Sequence, residues 1–321
     1  MRHQPEIAPT PFLGVGGLVF GLSRGDAMPD SVTLLALVLV LASAFAHATW
    51  NLFLKRAQRQ EVFVWWLSAA GAVGAAPVAV VLAFTTEFDP VGLWFIIASA
   101  LVHICYFLSL GRSLARADLS LAYPIARGFG PGLVPVLAVF ALGENVTIPA
   151  WIGIGVIVLG IYTMAWWGQL RNIVGGQLAA TRAGIAYALA TGLCIALYTL
   201  IDKQGVAYVS PFLYLYLMTC GVAVGMLPYI LRAHGASAIV REWRTATWPI
   251  AAAAGLLFLA YGLVLTAMRF TDASYVAPAR EVGLLFALLL GAVVLKEVVT
   301  VGRVVGAAMI VAGLVLITVF R

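Results

Sequence analysis

Apolar runs of membrane-spanning length recur ten times along this chain, and this more than any other feature limits what it can fold into. A helix needs roughly 20 apolar residues to cross about 30 Å of hydrocarbon. Runs of about that length fall near 31–54, 62–84, 91–111, 118–142, 149–168, 180–202, 211–231, 247–268, 272–295 and 301–320. Only 10% of the 321 residues are charged and 63% are apolar, against about 25% charged in a soluble domain. So few charges cannot cover a water-facing surface. A membrane β-barrel would show short alternating segments instead of unbroken runs. The expected fold class is therefore all-α, a polytopic membrane protein with ten transmembrane helices.

The polar punctuation divides the chain. Residues 1–27 read as a disordered tail, with a cleaved signal peptide as the competing reading, and Met28 stands just before the first span. Residues 28–168 and 180–321 form two five-helix units joined by a linker at 169–179. The longest connections fall at 167–179 and 232–247. The net charge of +6 comes from basic residues scattered singly between spans, the pattern of loops and not of a nucleic-acid surface. Twelve of the nineteen Lys and Arg follow odd-numbered spans, which by the positive-inside rule makes that side cytoplasmic and puts both termini outside. Cys105, Cys194 and Cys220 sit inside apolar runs without paired spacing, so no disulfide framework, metal or cofactor is implied.

The two units resemble each other. Asp118, Ser120 and Pro124 recur as Asp272, Ser274 and Pro278, shifted by 154. After one dropped residue, Arg127, Glu144, Gly153 and Gly160 recur as Arg280, Glu297, Gly306 and Gly313, shifted by 153. Earlier, Leu41, Ala42 and Lys55 match Leu189, Ala190 and Lys203 at a shift of 148. Shared hydrophobicity does not place so many polar and special residues in register. Five is odd, so two such units in one chain face opposite ways across a bilayer, as an inverted repeat suited to alternating access.

The stretch from Ala117 to Pro124, the glycine- and proline-rich helix after it, Gly143-Glu144 and the glycines at 153 and 160 resemble the EamA module of the drug/metabolite transporter superfamily. Asp272 to Pro278, Lys296-Glu297, Gly306 and Gly313 repeat the pattern. The resemblance runs from about residue 31 to the C-terminus. It implies a ten-helix transporter of small metabolites, commonly an exporter, in an inner or plasma membrane. It also implies cytoplasmic termini, opposite to the loop count.

Charge inside a span costs about 2.5 to 3.5 kcal/mol at a helix centre, so such residues are candidates for function. Arg127 and Arg280 lie near mid-depth and are repeat equivalents. Both are expected to line a central cavity and to attract a carboxylate or phosphate through paired hydrogen bonds; the structural alternative is internal pairing or satisfaction of carbonyls freed by proline. Glu281 has a glycine, Gly128, as its counterpart in the other half, and has two readings, counter-ion to the arginines or coupling-proton carrier. His47, Asn51 and Lys55 recur every four residues in the first span, as do Tyr198 and Asp202 in the sixth. His47, Asn51, Tyr123 and Tyr198 join the expected substrate-binding set, and Asp202 joins Glu281 as a coupling candidate. Weaker candidates are His103, Tyr106 and Tyr261. Pro124 and Pro278 are expected to break corresponding helices at the site. Glu144 and Glu297 read as helix-terminus contacts, the four repeated glycines as packing, and Trp65 and Trp66 as interface anchors.

An enzyme would need a nucleophile with a base, or a metal set, and neither HExxH nor GxSxG is present. The expected function is a secondary active transporter, an exporter of an amino-acid-like, zwitterionic or anionic solute. A channel or a lipid-linked-substrate flippase of the same fold is the alternative. The expected partners are that small solute and the lipid bilayer. A monomer is expected, with a homodimer as the second arrangement.

Overall fold

A computed structural model describes residues 30–117, 119–167 and 182–320. The expected tail 1–27, the linker 169–179 and Asp118 lie outside the described residues. The first unit contains α1 (Asp30–Arg56), α2 (Gln60–Thr85), α3 (Val91–Leu114), α4 (Leu119–Leu142) and α5 (Ile148–Trp166). The second contains α6 (Arg182–Gly205), α7 (Pro211–His234), α8 (Ala236–Phe270), α9 (Ala273–Ala279), α10 (Gly283–Val294) and α11 (Val301–Val319). A three-ten turn, Arg280–Val282, joins α9 to α10 within one span. Among the described residues, ten helical segments are thus long and apolar enough to cross a membrane. Helices suit such a setting because they satisfy their own backbone groups where water cannot.

The stretch 232–247 departs from expectation. It is helical almost throughout: α7 continues to His234, and α8 starts at Ala236 and kinks at Ala246 (φ −133°). Its apolar face is too short to read as a span, yet it docks on α2. Ala238, Ile239 and Glu242 are buried, Trp243 packs on Trp66 with ring centroids 4.6 Å apart, and the Trp66 indole donates to the Ile239 carbonyl (3.0 Å). Trp65 is buried too and donates to the Ala223 carbonyl (2.9 Å). These tryptophans therefore tie helices together and are not interface anchors. An indole N–H in an apolar bundle needs an acceptor, and a neighbouring helix supplies it.

The repeat extends to local geometry. The turns after α4 and α10 both pass through a left-handed residue, Gly143 (φ 67°) and Lys296 (φ 57°). In each turn the next glutamate closes the same bond, Glu144 N to Ala138 O (3.3 Å) and Glu297 N to Gly291 O (3.1 Å). Glycine adopts that conformation without a Cβ clash; Lys296 adopts it despite one. Three residues on, Thr147 and Thr300 occupy the N-cap positions of α5 and α11.

Glycines set the contact between the last helices of the two units. A Cβ at Gly153 would fall 2.8 Å from the Gly313 carbonyl oxygen, and one at Gly160 would fall 2.8 Å from that of Gly306. Exchanging the units maps one contact onto the other, so α5 and α11 cross antiparallel about a two-fold axis. The same exchange relates the α1–α8 pair to the α3–α6 pair, both extensively packed. It also relates Gly130 against Gly192, on α4 and α6, to Gly283 against Ala44, on α10 and α1.

The symmetry is incomplete in one respect. α4 lies along α6 over more of its length than its equivalent, α9–α10, lies along α1. Where α4 meets α9, Val134, Ala196, Leu200, Ala273 and Ala277 form a buried apolar cluster that seals one end of the bundle. At the other end the chain leaves a cavity.

Candidate functional site

The cavity measures about 290 Å³ and lies between α1, α4, α5 and α10. Its walls are mostly apolar, with Ile161 and Met164 from α5 and Leu284 and Leu288 from α10. Its polar groups are few: Asn51 and Lys55 from α1, Tyr123 and Arg127 from α4, and Glu297 and Arg303 from the second unit. Three cations to one carboxylate make the lining net positive.

Arg127 is the charge set deepest in this wall. Its side chain keeps 18% of its surface open, while Glu281 behind it keeps 3%. Arg127 Nη2 lies 3.2 Å from Glu281 Oε2, but neither Arg127 Nε nor that oxygen has an aligned hydrogen-bond partner among the described residues. The pair is an ion contact, and the unpartnered Nε is itself buried, so what meets the cavity is the partly open end of the guanidinium. Tyr123 places its ring 5.9 Å from the guanidinium carbon, within cation–π range. A partly open guanidinium beside an aromatic face, in a net positive cavity, suits an oxyanion that brings two acceptors.

At the mouth Glu297 pairs with Lys55, and Arg303 approaches its other oxygen at 3.5 Å. The Lys55 ammonium hydrogen-bonded to it, with Arg303 alongside, holds the Glu297 carboxyl below the ordinary carboxylate range. A carboxyl lowered in the folded state contributes stability above its ordinary pKa and loses it as pH falls through the lowered value. This pairing is therefore in place at neutral pH.

Of the residues expected to bind substrate, Asn51, Tyr123 and Arg127 reach the cavity; His47, Tyr198 and Arg280 do not. The His47 ring packs edge-on against Trp50, 5.1 Å between centroids. Eight residues turn a helix through about 80° beyond two full turns, so the stripe that brings Lys55 to the mouth carries His47 away. The Asn51 amide also donates to the His47 carbonyl (2.7 Å). Arg280 lies over the Tyr261 ring at 5.5 Å. It is equivalent to Arg127 in the repeat, but it does not line the cavity. Pro124 does not break its helix either. α4 is continuous through Pro124, Pro131 and Pro135, while the span containing Pro278 changes to three-ten geometry over Arg280–Val282, where Arg280 and Glu281 sit.

Asp202 lies away from the cavity, fully buried and at the centre of a second polar cluster. Ser99 Oγ donates to its Oδ1 (2.5 Å), the Tyr214 hydroxyl donates to the same oxygen (2.7 Å), and the Tyr261 hydroxyl donates to Oδ2. His103 Nδ1 stands 2.9 Å from the Ser99 carbonyl oxygen, and its ring stacks on Tyr198 at 4.1 Å. One carboxylate thus ties α3, α6, α7 and α8 together. Sequence reasoning identified Asp202 but not Ser99 or Tyr214, since a hydroxyl in an apolar helix carries no spacing signal. Its place in the first unit is taken by Leu54, so this cluster exists in one half only.

Ten apolar helices in two equivalent sets, around a charged cavity sealed at one end, define a multi-pass membrane protein built like a transporter. The chain belongs to the EamA-like transporter family, whose pattern matches residues 34–166 and again 182–319. Members of that family are transporters within the drug/metabolite transporter superfamily, not enzymes. A solved structure described as "Crystal structure of protein" is similar at 18% identity, with a TM-score of 0.68, covering 91% of this chain and 99% of its own. That likeness is one of fold. No curated protein matches the chain.

Proposed function

We propose that the protein is a secondary active carrier, an exporter, of a small anionic or zwitterionic metabolite in an inner (plasma) membrane. It works by alternating access between two inverted repeats. The observation that carries this reading is Arg127, a partly open cation in the wall of a net positive cavity, with an apolar cluster packed at the opposite end of the bundle. That cluster supports a carrier over a channel, because a channel needs a continuous polar path. The antiparallel contacts of Gly153 with Gly313 and Gly160 with Gly306 support the inversion.

In this reading a substrate carboxylate or phosphate docks on Arg127, its apolar part lies along α5 and α10, and Asn51 and Tyr123 orient it. Docking competes with Glu281 for the guanidinium. A buried carboxylate whose nearest cation is drawn away is costlier to keep charged in a low-dielectric interior, and this links substrate binding to protonation of Glu281. Asp202 is the second coupling candidate; its three hydroxyl donors also make it a tie between helices. The cavity opens at the end carrying Lys55 and Arg303, the Lys/Arg-rich side that the positive-inside rule puts in the cytoplasm, as suits loading of an exported solute.

Ligand binding raises apparent stability by mass action, by about 2.7 kcal/mol at a hundred times Kd. Thermal unfolding of the purified protein across amino acids, nucleosides, organic phosphates and organic cations is expected to show stabilisation by an anionic or zwitterionic solute. Stabilisation by lipophilic cations alone would contradict the reading.

A further inference from the structure

The two repeat-equivalent glutamates are bound differently in this structure, although they follow the same left-handed turn. At the sealed end Glu144 is buried, and its two oxygens accept from Ala273 N and Ser274 N (2.9 Å each). The first N–H groups of a helix have no partner within it, and a carboxylate there gains from the helix dipole as well. Glu144 therefore locks the start of α9 to the end of α4. Beside it, Lys203 Nζ donates to the carbonyls of Met268 (2.6 Å) and Thr271 (3.0 Å) at the end of α8.

At the open end the equivalents do otherwise. Glu297 pairs with Lys55, the match of Lys203, and with Arg303 across the cavity mouth. The backbone groups that correspond to Ala273 and Ser274 belong to Leu119 and Ser120, which start α4 at that same end. The carbonyls that correspond to Met268 and Thr271 are those of Leu114 and Ala117, at and just past the end of α3.

We infer that Glu144 and Glu297 are the two latches of alternating access and exchange roles between states: in the opposite-facing state Glu297 caps α4 at Leu119 and Ser120, and Glu144 lets go of α9 to pair with Lys203. Lys55 then moves to the Leu114 and Ala117 carbonyls. The inference rests on the carrier reading above. Two bonds from a buried carboxylate to backbone N–H groups outweigh an ion pair at an exposed mouth. Removing the charge from either latch therefore favours the state in which that latch is open.

The cavity-lining Ala287 and its buried repeat equivalent Val134 give paired reporters. Cys105, Cys194 and Cys220 are replaced by Ser, one reporter cysteine is introduced (Ala287→Cys or Val134→Cys), and labelling by a polar maleimide is timed in lipid nanodiscs, where both faces meet the reagent. Glu144→Gln is expected to speed labelling at position 134 by about tenfold, as for loss of one charge-assisted hydrogen bond from one state, and to slow it at 287. Glu297→Gln is expected to do the reverse, and reads the same inference should Glu144→Gln fail to fold. Unchanged rates at both positions, or faster labelling at both, would overturn the latch. Wild-type uptake in vesicles, measured alongside, separates the two readings: uptake with unmoved labelling overturns the latch alone, whereas no uptake of any anionic or zwitterionic solute overturns the carrier.

Discussion

Arg127→Gln is expected to abolish transport, and the reason lies in what Arg127 holds on either side. Toward the cavity its side chain is partly open to an oxyanion; behind it Glu281 lies 3.2 Å from its Nη2. Removing one partner of a buried charge pair costs about 3 to 5 kcal/mol because the other is left uncompensated. The single variant should therefore lose stability as well as transport. Arg127→Gln combined with Glu281→Gln removes both charges, and is expected to regain most of the unfolding temperature while remaining inactive. Loss of a bidentate charged contact weakens substrate binding by about 2 to 5 kcal/mol, on the order of thirtyfold or more. Arg280→Gln, outside the cavity, should leave substrate affinity much closer to wild type. Normal uptake by the double variant would remove Arg127 from the site.

The second large effect is on stability alone. Asp202→Ala would leave the hydroxyls of Ser99 and Tyr261 without their acceptor and reduce that of Tyr214 to its bond with the Phe95 carbonyl (3.2 Å). A buried polar group left unpaired costs about 1 to 3 kcal/mol, so the sum is several kcal/mol, a large share of the stability of any fold. Asp202→Asn keeps one acceptor oxygen and is expected to fall between Ala and wild type. Thermal unfolding in detergent orders the three proteins; equal midpoints for Ala and wild type would show that the cluster does not hold the helices together. Leu54→Asp, at the matching place in the first unit, would gain no such donors and should destabilise.

The spans and the repeat were legible because each follows from local chemistry: apolar length marks a helix, and Glu144, Glu297 and the four glycines mark the register. The kinked start of α8 was not legible, since Ala238, Ile239 and Trp243 bury a face too short to span and find their partners on helices distant in sequence. In the site, Arg127 and Glu281 were readable as expensive charge at mid-depth. What depth could not reveal is which arginine of a symmetric pair faces solvent, because that depends on which end of the bundle is open. The latch glutamates read as helix-terminus contacts, and each does sit at a terminus; that one caps a helix while the other pairs with Lys55 is a property of the conformation and not of the sequence.

A carrier whose substrate meets Arg127 has a signature in counterflow. Purified protein in lipid vesicles, loaded with excess unlabelled solute from the stabilising set, is given trace labelled solute outside. A carrier is expected to accumulate label transiently above its equilibrium level, to saturate with outside concentration, and to do neither when Arg127 and Glu281 are both Gln. Label that only equilibrates, at a rate proportional to concentration and unaffected by that double substitution, would mean that the protein is not a carrier working through Arg127.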